Sequence, residues 1–215
     1  MPVPSGEPDS AEAISFWIAE RVSARDRFRN VYDASERHRE QHGQECTVYA
    51  SGSGPVLGTL AAVTNAKRIL ELGCGLGYSA LWLAFGSPDG RVETIECDPA
   101  HAELARGHFA REGFTGRITV LEGRAVGLLA GLSGPYDLIF CDSDLEEYGA
   151  YPEHFARLLR PGGLLITSNL FLGRYSLDIP GLDQAAAYRE WLLAEERLLT
   201  AFLQGGMAIS VLRER

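Results

Sequence analysis

Residues 69–84 read ILELGCGLGYSALWLA. An apolar run of strand length meets glycines at three alternate positions, Gly73, Gly75 and Gly77, and a helical pattern begins at once. Glycines at such a junction permit a tight turn and a close approach of backbone to ligand. The helix that follows offers unpaired N–H groups and the positive end of its dipole. A dinucleotide fingerprint, G-x-G-x-x-G, would place its third glycine at 78, where this chain carries Tyr78. The loop therefore reads as a cofactor cradle that argues against NAD or FAD.

The same strand-then-helix rhythm continues outward from this stretch. Strands are expected at 67–72, 91–96, 117–122, 136–141 and 164–169, with helices at 77–86, 99–113, 124–132 and 151–163 between them. A helix from about 183 to 195 and a hairpin around Gly205-Gly206 close the chain. Ahead of the rhythm, 11–42 reads as one long amphipathic helix stopped by Gly43. A loop over 47–55 leads into a helix that carries Pro55 in its first turn. The pattern predicts an α/β fold: a doubly wound, Rossmann-like, seven-stranded and mostly parallel sheet with a C-terminal antiparallel hairpin and an N-terminal helical extension. Residues 1–46 form the tail and extension, and 47–215 the main domain.

Composition sets the outer limits. The chain has 215 residues, 46% hydrophobic and 23% charged, with a formal net charge of -9. That acidity disfavours nucleic acid and anionic membranes as partners. No apolar run has the length needed to span a bilayer. The start, MPVPSGEPDSAEA, lacks the features of a signal peptide and reads as a frayed tail. Cys46, Cys74, Cys97 and Cys141 contain no C-x-x-C pair, so they read as free, mostly buried thiols of a cytoplasmic protein.

In such a sheet, ligands bind beyond the C-terminal ends of the strands, so the residues just after each strand carry the site. Glu96 ends the second strand, 23 residues after Gly73, where a carboxylate can accept hydrogen bonds from both hydroxyls of a ribose. Glu71, just before the loop, is poorly suited to a pyrophosphate but suits an ammonium group. A ribose, no phosphate and a cationic amino-acid end together describe S-adenosylmethionine.

On these stretches, together with GRVETIECDPAHAELAR, YDLIFCDSDLEEYGAYPEHFARLLRPGGLL and SNLFLG, the chain resembles the class I S-adenosylmethionine-dependent methyltransferases. More narrowly, it resembles the catechol- and caffeoyl-CoA-type O-methyltransferases, from about residue 47 to the C-terminus. The resemblance implies that Glu71, Gly73, Gly75, Gly77, Tyr78 and Ser79 hold the methionine side of the cofactor. It implies that Glu96 holds the ribose with Cys97 beside it, and that Arg124 and Ala125 flank the adenine. Asp142 matches a position that faces both cofactor and metal in that family.

The metal motif is depleted. The family pattern has a lysine three residues after the first aspartate and an Asp-Asn pair after the fifth strand; here those positions hold Leu145 and Ser168-Asn169. Asp142 and Asn169 are left as metal ligands, fewer carboxylates than Mg²⁺ favours, so metal dependence is expected to be reduced or absent. Asp144 reads as a charge at the start of a helix. His38 and His42, spaced i, i+4, are candidate bases for an acceptor hydroxyl, and Asp142 is a candidate catalytic residue through its match to the family's metal ligand. His101, His108 and His154 are expected on the surface of crossover helices. The expected activity is O-methylation of a small, aromatic hydroxyl acceptor by a possible homodimer, with Phe16 and Trp17 against the partner subunit. Methylation at nitrogen or carbon, non-methylating use of the cofactor, and a silent binding protein stand as alternatives.

Overall fold

The computed structural model describes Trp17, Arg21 and residues 25–43, 46, 48–50, 52–174, 178–203 and 206–214. Helix α1 spans Arg29–His42 and α2 Gly54–Val63. There follow β1 (Arg68–Leu72), α3 (Tyr78–Gly86), β2 (Arg91–Glu96), α4 (Pro99–Arg111), β3 (Ile118–Glu122), α5 (Ala125–Leu129) and β4 (Tyr136–Cys141). A 3-10 segment over Leu145–Ala150 leads to α6 (Tyr151–Leu158), β5 (Leu159–Thr167), α7 (Leu182–Ala194), β6 (Leu198–Phe202) and β7 (Ala208–Leu212).

The strands make one seven-stranded sheet in the order β3-β2-β1-β4-β5-β7-β6, and β7 alone runs against its neighbours. The expected doubly wound sheet and terminal hairpin are therefore present. Strand order reverses between β1 and β4, which opens a crevice at their C-terminal ends.

Alternation along each strand divides the core in two. Ile69, Val92, Leu138 and Ile166 join residues of α2, α3 and α4 on one face, whereas Leu70, Ile95, Ile139 and Leu165 join α5, α6 and α7 on the other. Phe28 and Val31 lie in the first of these clusters, so the N-terminal extension shares the core of the main domain. The helices on that face meet closely: a Cβ on Gly86 would fall 1.9 Å from the carbonyl oxygen of Gly58, so α2 and α3 touch backbone to backbone. Among the described residues, no helix is long and apolar enough to cross a membrane.

Two element boundaries differ from expectation. The single helix over 11–42 is interrupted by a turn around 25–28, where Asp26 Oδ1 accepts from the Phe28 N–H at 2.9 Å ahead of α1. Most of 11–24, including Phe16, lies outside the described residues, as does the tail. The helix expected to end at 163 stops at Leu158, and β5 already begins at Leu159. Pro161 disfavours helical backbone at the residue before it. Gly162 takes φ 71°, and a register shift opposite Tyr136 and Leu138 absorbs the Pro-Gly-Gly segment within the strand. Gly43 ends α1 with φ 60°, as expected.

Candidate functional site

A cavity of about 710 Å³ opens at the switch point, within the size range of small-ligand sites. Its floor is the glycine loop. Gly73 N and Cys74 N donate to Ile95 O at 3.1 and 3.0 Å, which ties the loop to the end of β2. Gly73 holds φ 93°, and a Cβ there would meet Asp142 O at 2.0 Å, so only glycine lets β1 and β4 end side by side. Gly77, with φ 91°, opens α3 and makes room for Phe109 of α4. Gly77 is therefore a packing glycine and not part of the cavity wall, whereas Gly73, Gly75, Tyr78 and Ser79 line it.

Glu96 stands at the rim of this floor. Its Oε2 accepts from Gly75 N at 2.7 Å and its Oε1 from Asp98 N at 2.9 Å. Each carboxylate oxygen keeps a further lone pair for a ligand hydroxyl. Cys97 lies beside Glu96, exposed, and its thiol is pushed up first by burial and then by the Glu96 carboxylate. Arg124 and Ala125 form the next stretch of wall. The Arg124 guanidinium pairs with Glu147 Oε1 at 2.7 Å and lies 3.9 Å from Asp144 Oδ2. Asp144 precedes the 3-10 segment, as the sequence indicates, but its side chain makes no capping bond there.

Glu71 does not line the cavity. It is fully buried beneath the loop, where its Oε2 accepts from Thr94 Oγ1 at 2.5 Å and its Oε1 has no partner. Burial is the main cause that pushes its carboxyl up to about 8. Tyr78 turns its hydroxyl away from the loop to donate to Asp26 Oδ2 at 2.6 Å.

Asp142 and Asn169 meet at the cavity wall beyond β4 and β5. Asp142 follows β4, and its N–H donates to Leu72 O at 2.9 Å. Burial pushes its carboxyl up to about 7. Asn169 follows β5 with φ 61°, a left-handed conformation that asparagine tolerates. Its Nδ2 donates to Asp142 Oδ1, so the two side chains satisfy each other. One carboxylate and one amide make a poor donor set for a hard divalent ion. Leu145, at the lysine position, is buried in the second core cluster and faces away from the cavity. Tyr148 and Tyr151 are buried as well: Tyr148 donates to Ser168 O at 3.1 Å, and Tyr151 to Glu147 Oε2 at 2.8 Å.

His38 and His42 lie outside the cavity wall, and their rings stand 4.3 Å apart. The expectation of surface histidines on the crossover helices fails at two positions. His108 is buried, with Nδ1 2.8 Å from Leu76 O, because α4 turns it under the glycine loop. His101 is half-buried and lines the cavity, with Nδ1 3.8 Å from Glu96 Oε1. Val48 and Tyr49 also line the cavity, on its N-terminal side. No motif marks them. Glu147 was visible only as one more acid in DLEEY.

Comparison with known proteins fits this geometry. A profile described as O-methyltransferase matches residues 29–199. The chain belongs to the O-methyltransferase family. A catechol O-methyltransferase of Niastella koreensis is 30% identical over 218 residues, covering 94% of this chain and 97% of the relative. The O-methyltransferase from Bacillus cereus in complex with SAH superposes with a TM-score of 0.75 at 27% identity, covering 90% of this chain and 99% of that one. The O-methyltransferase TomG from Streptomyces achromogenes, involved in tomaymycin synthesis and in complex with SAM, gives 0.75 at 27%, covering 91% and 98%. This O-methyltransferase uses S-adenosylmethionine, and its residues fit that cofactor. Gly73 and Gly75 bring bare backbone to the cavity, and the Glu96 carboxylate at its rim is free to accept from a ligand hydroxyl.

Proposed function

We propose that this O-methyltransferase methylates a hydroxyl of a small aromatic acceptor, with little or no dependence on a divalent metal, and that Asp142 receives the hydroxyl proton. The carrying observation is the pairing of Asp142 with Asn169, a buried carboxylate raised to about 7 at the cavity wall. S-adenosylmethionine, when bound, supplies a methyl group on a sulfonium, which is already a good leaving group. The chain then has two tasks. Gly73, Gly75 and Glu96 fix the position of the donor, so that the acceptor oxygen is held in line. Asp142, ionised above about pH 7, accepts the proton as that oxygen gains its methyl group. His38 and His42 are the weaker candidates for this role, since neither lines the cavity. The name of the Niastella relative supports an aromatic diol as the acceptor class.

The test is turnover of a panel of catechols and simple phenols in excess chelator, then with Mg²⁺ restored. Full activity in chelator supports the reading, and activity rescued only by Mg²⁺ rejects it. The reading extends to a cytoplasmic location, supported by four free thiols. It also includes a homodimer, supported by the exposed Trp17 and testable by sedimentation. Residues 47–215 are taken as the methyltransferase domain and 1–46 as its extension.

A further inference from the structure

A second group of side chains clusters at the rim of the cofactor cavity. His38 of α1, Cys46 beyond the end of that helix and His101 of α4 come from separate segments, and all three are partly buried. One ligand atom from each lies within 4.8 Å of the others. His38 Nε2 and His101 Nε2 are 3.1 Å apart. Two imidazole nitrogens on one tetrahedral zinc ion would stand roughly 3.3 Å apart, given Zn–N bonds near 2 Å. We propose that His38, Cys46 and His101 bind a single zinc-class divalent ion, which ties α1 and the segment behind it to α4 at the rim of the cofactor cavity.

The donor chemistry selects the ion. Imidazole and thiolate are borderline or soft donors, which favour Zn²⁺ and Co²⁺ over Mg²⁺ or Ca²⁺. Three protein ligands leave the fourth position to water. With Nε2 toward the ion, His101 Nδ1 lies 3.8 Å from Glu96 Oε1, beyond hydrogen-bond distance but on the side from which a carboxylate can orient the ring. Binding converts the Cys46 thiol to a thiolate bonded to the ion and releases its proton to solvent. The site is separate from Asp142 and Asn169, whose donors are oxygen and amide.

The experiment uses the full chain without an affinity tag, reduced and stripped by chelator, then titrated with Co²⁺. The expected result is one Co²⁺ per chain, with a thiolate charge-transfer band and the intense visible bands of a tetrahedral site, displaced by one equivalent of Zn²⁺. Cys46→Ser should remove the charge-transfer band and weaken Co²⁺ binding by about tenfold or more; His38→Ala should weaken it similarly, and Asp142→Asn should leave it unchanged. Circular dichroism confirms that each variant is folded. The proposal is overturned if no band forms with Co²⁺ up to about 100 μM, or if Cys46→Ser and His38→Ala bind Co²⁺ as tightly as the parent. The readout involves no turnover, so it stands or falls apart from the methyl-transfer reading.

Discussion

Asn169 Nδ2 donates to Asp142 Oδ1 at 2.5 Å, joining the ends of β5 and β4 across the crevice. The bond pairs the Asn169 amide with the Asp142 carboxylate at the cavity wall, and burial sets the proton affinity of Asp142. A carboxyl raised to about 7 is ionised in useful amount only near and above neutrality.

Asp142→Asn is therefore expected to lower kcat by roughly 10²–10⁴-fold while retaining cofactor binding. In the parent, kcat should rise as pH increases through about 7, because only the ionised Asp142 accepts a proton. The residual activity of the variant should lack that step. A kcat–pH profile for both proteins decides it; an unchanged limb in the variant assigns the proton to another group.

Glu71 gives a stability signature of definite sign. Its folded value, about 8, lies above its ordinary 4.5. Its contribution to stability is thus full below about pH 4.5 and lost as pH rises through about 8. Glu71→Gln keeps an acceptor for Thr94 but cannot ionise, so it should be more stable than the parent by a few kcal/mol at about pH 9, with the difference shrinking below about pH 6. Urea unfolding at the two pH values measures it.

Removal of the Glu96 carboxylate should act on binding. Glu96→Ala is expected to weaken S-adenosylmethionine by about 10–100-fold, since charged hydrogen bonds to ligand hydroxyls and the Gly75 N–H are lost together. Calorimetry reads this directly.

Two loop glycines should respond differently. Gly73→Ala sets a Cβ against the Asp142 carbonyl and should cost about 3 kcal/mol or more. Gly75→Ala meets nothing nearer than Val48 at 3.6 Å and carries only the strain of its φ of 52°, about 1 kcal/mol, but projects a methyl group into the cofactor space. The first variant should fail in thermal unfolding, the second in cofactor binding.

Leu145→Lys tests whether the family lysine can simply be put back. Leu145 is 6% exposed and packed in the core, so a lysine there should destabilise the chain by roughly 2–4 kcal/mol and leave turnover no higher. A gain in activity would show that the side chain can turn into the cavity.

Much of this was legible in the sequence because parallel core strands, buried on both faces, read as short apolar runs, and each ends at the binding edge. That logic located Gly73, Glu96 and Asp142. It could not locate His101, Tyr49 or Leu145, whose directions depend on how a helix or loop is rotated against its neighbours. A leucine in place of lysine reads as a missing charge; only packing shows that its side chain points elsewhere. The Pro-Gly-Gly boundary was misplaced because a helix stop and a strand irregularity share the same residues.

The proton held by Glu71 also changes how the whole molecule migrates in a field. At the isoelectric point calculated from sequence, about 5.1, the folded chain retains protons on both Glu71 and Asp142 that an unfolded chain has largely released. The native protein should therefore focus at a higher pH than its own denatured form. Unfolding it in weakly buffered solution near neutrality should acidify the medium, a titration in which the solvent reports the buried acids beneath and beside the cofactor loop.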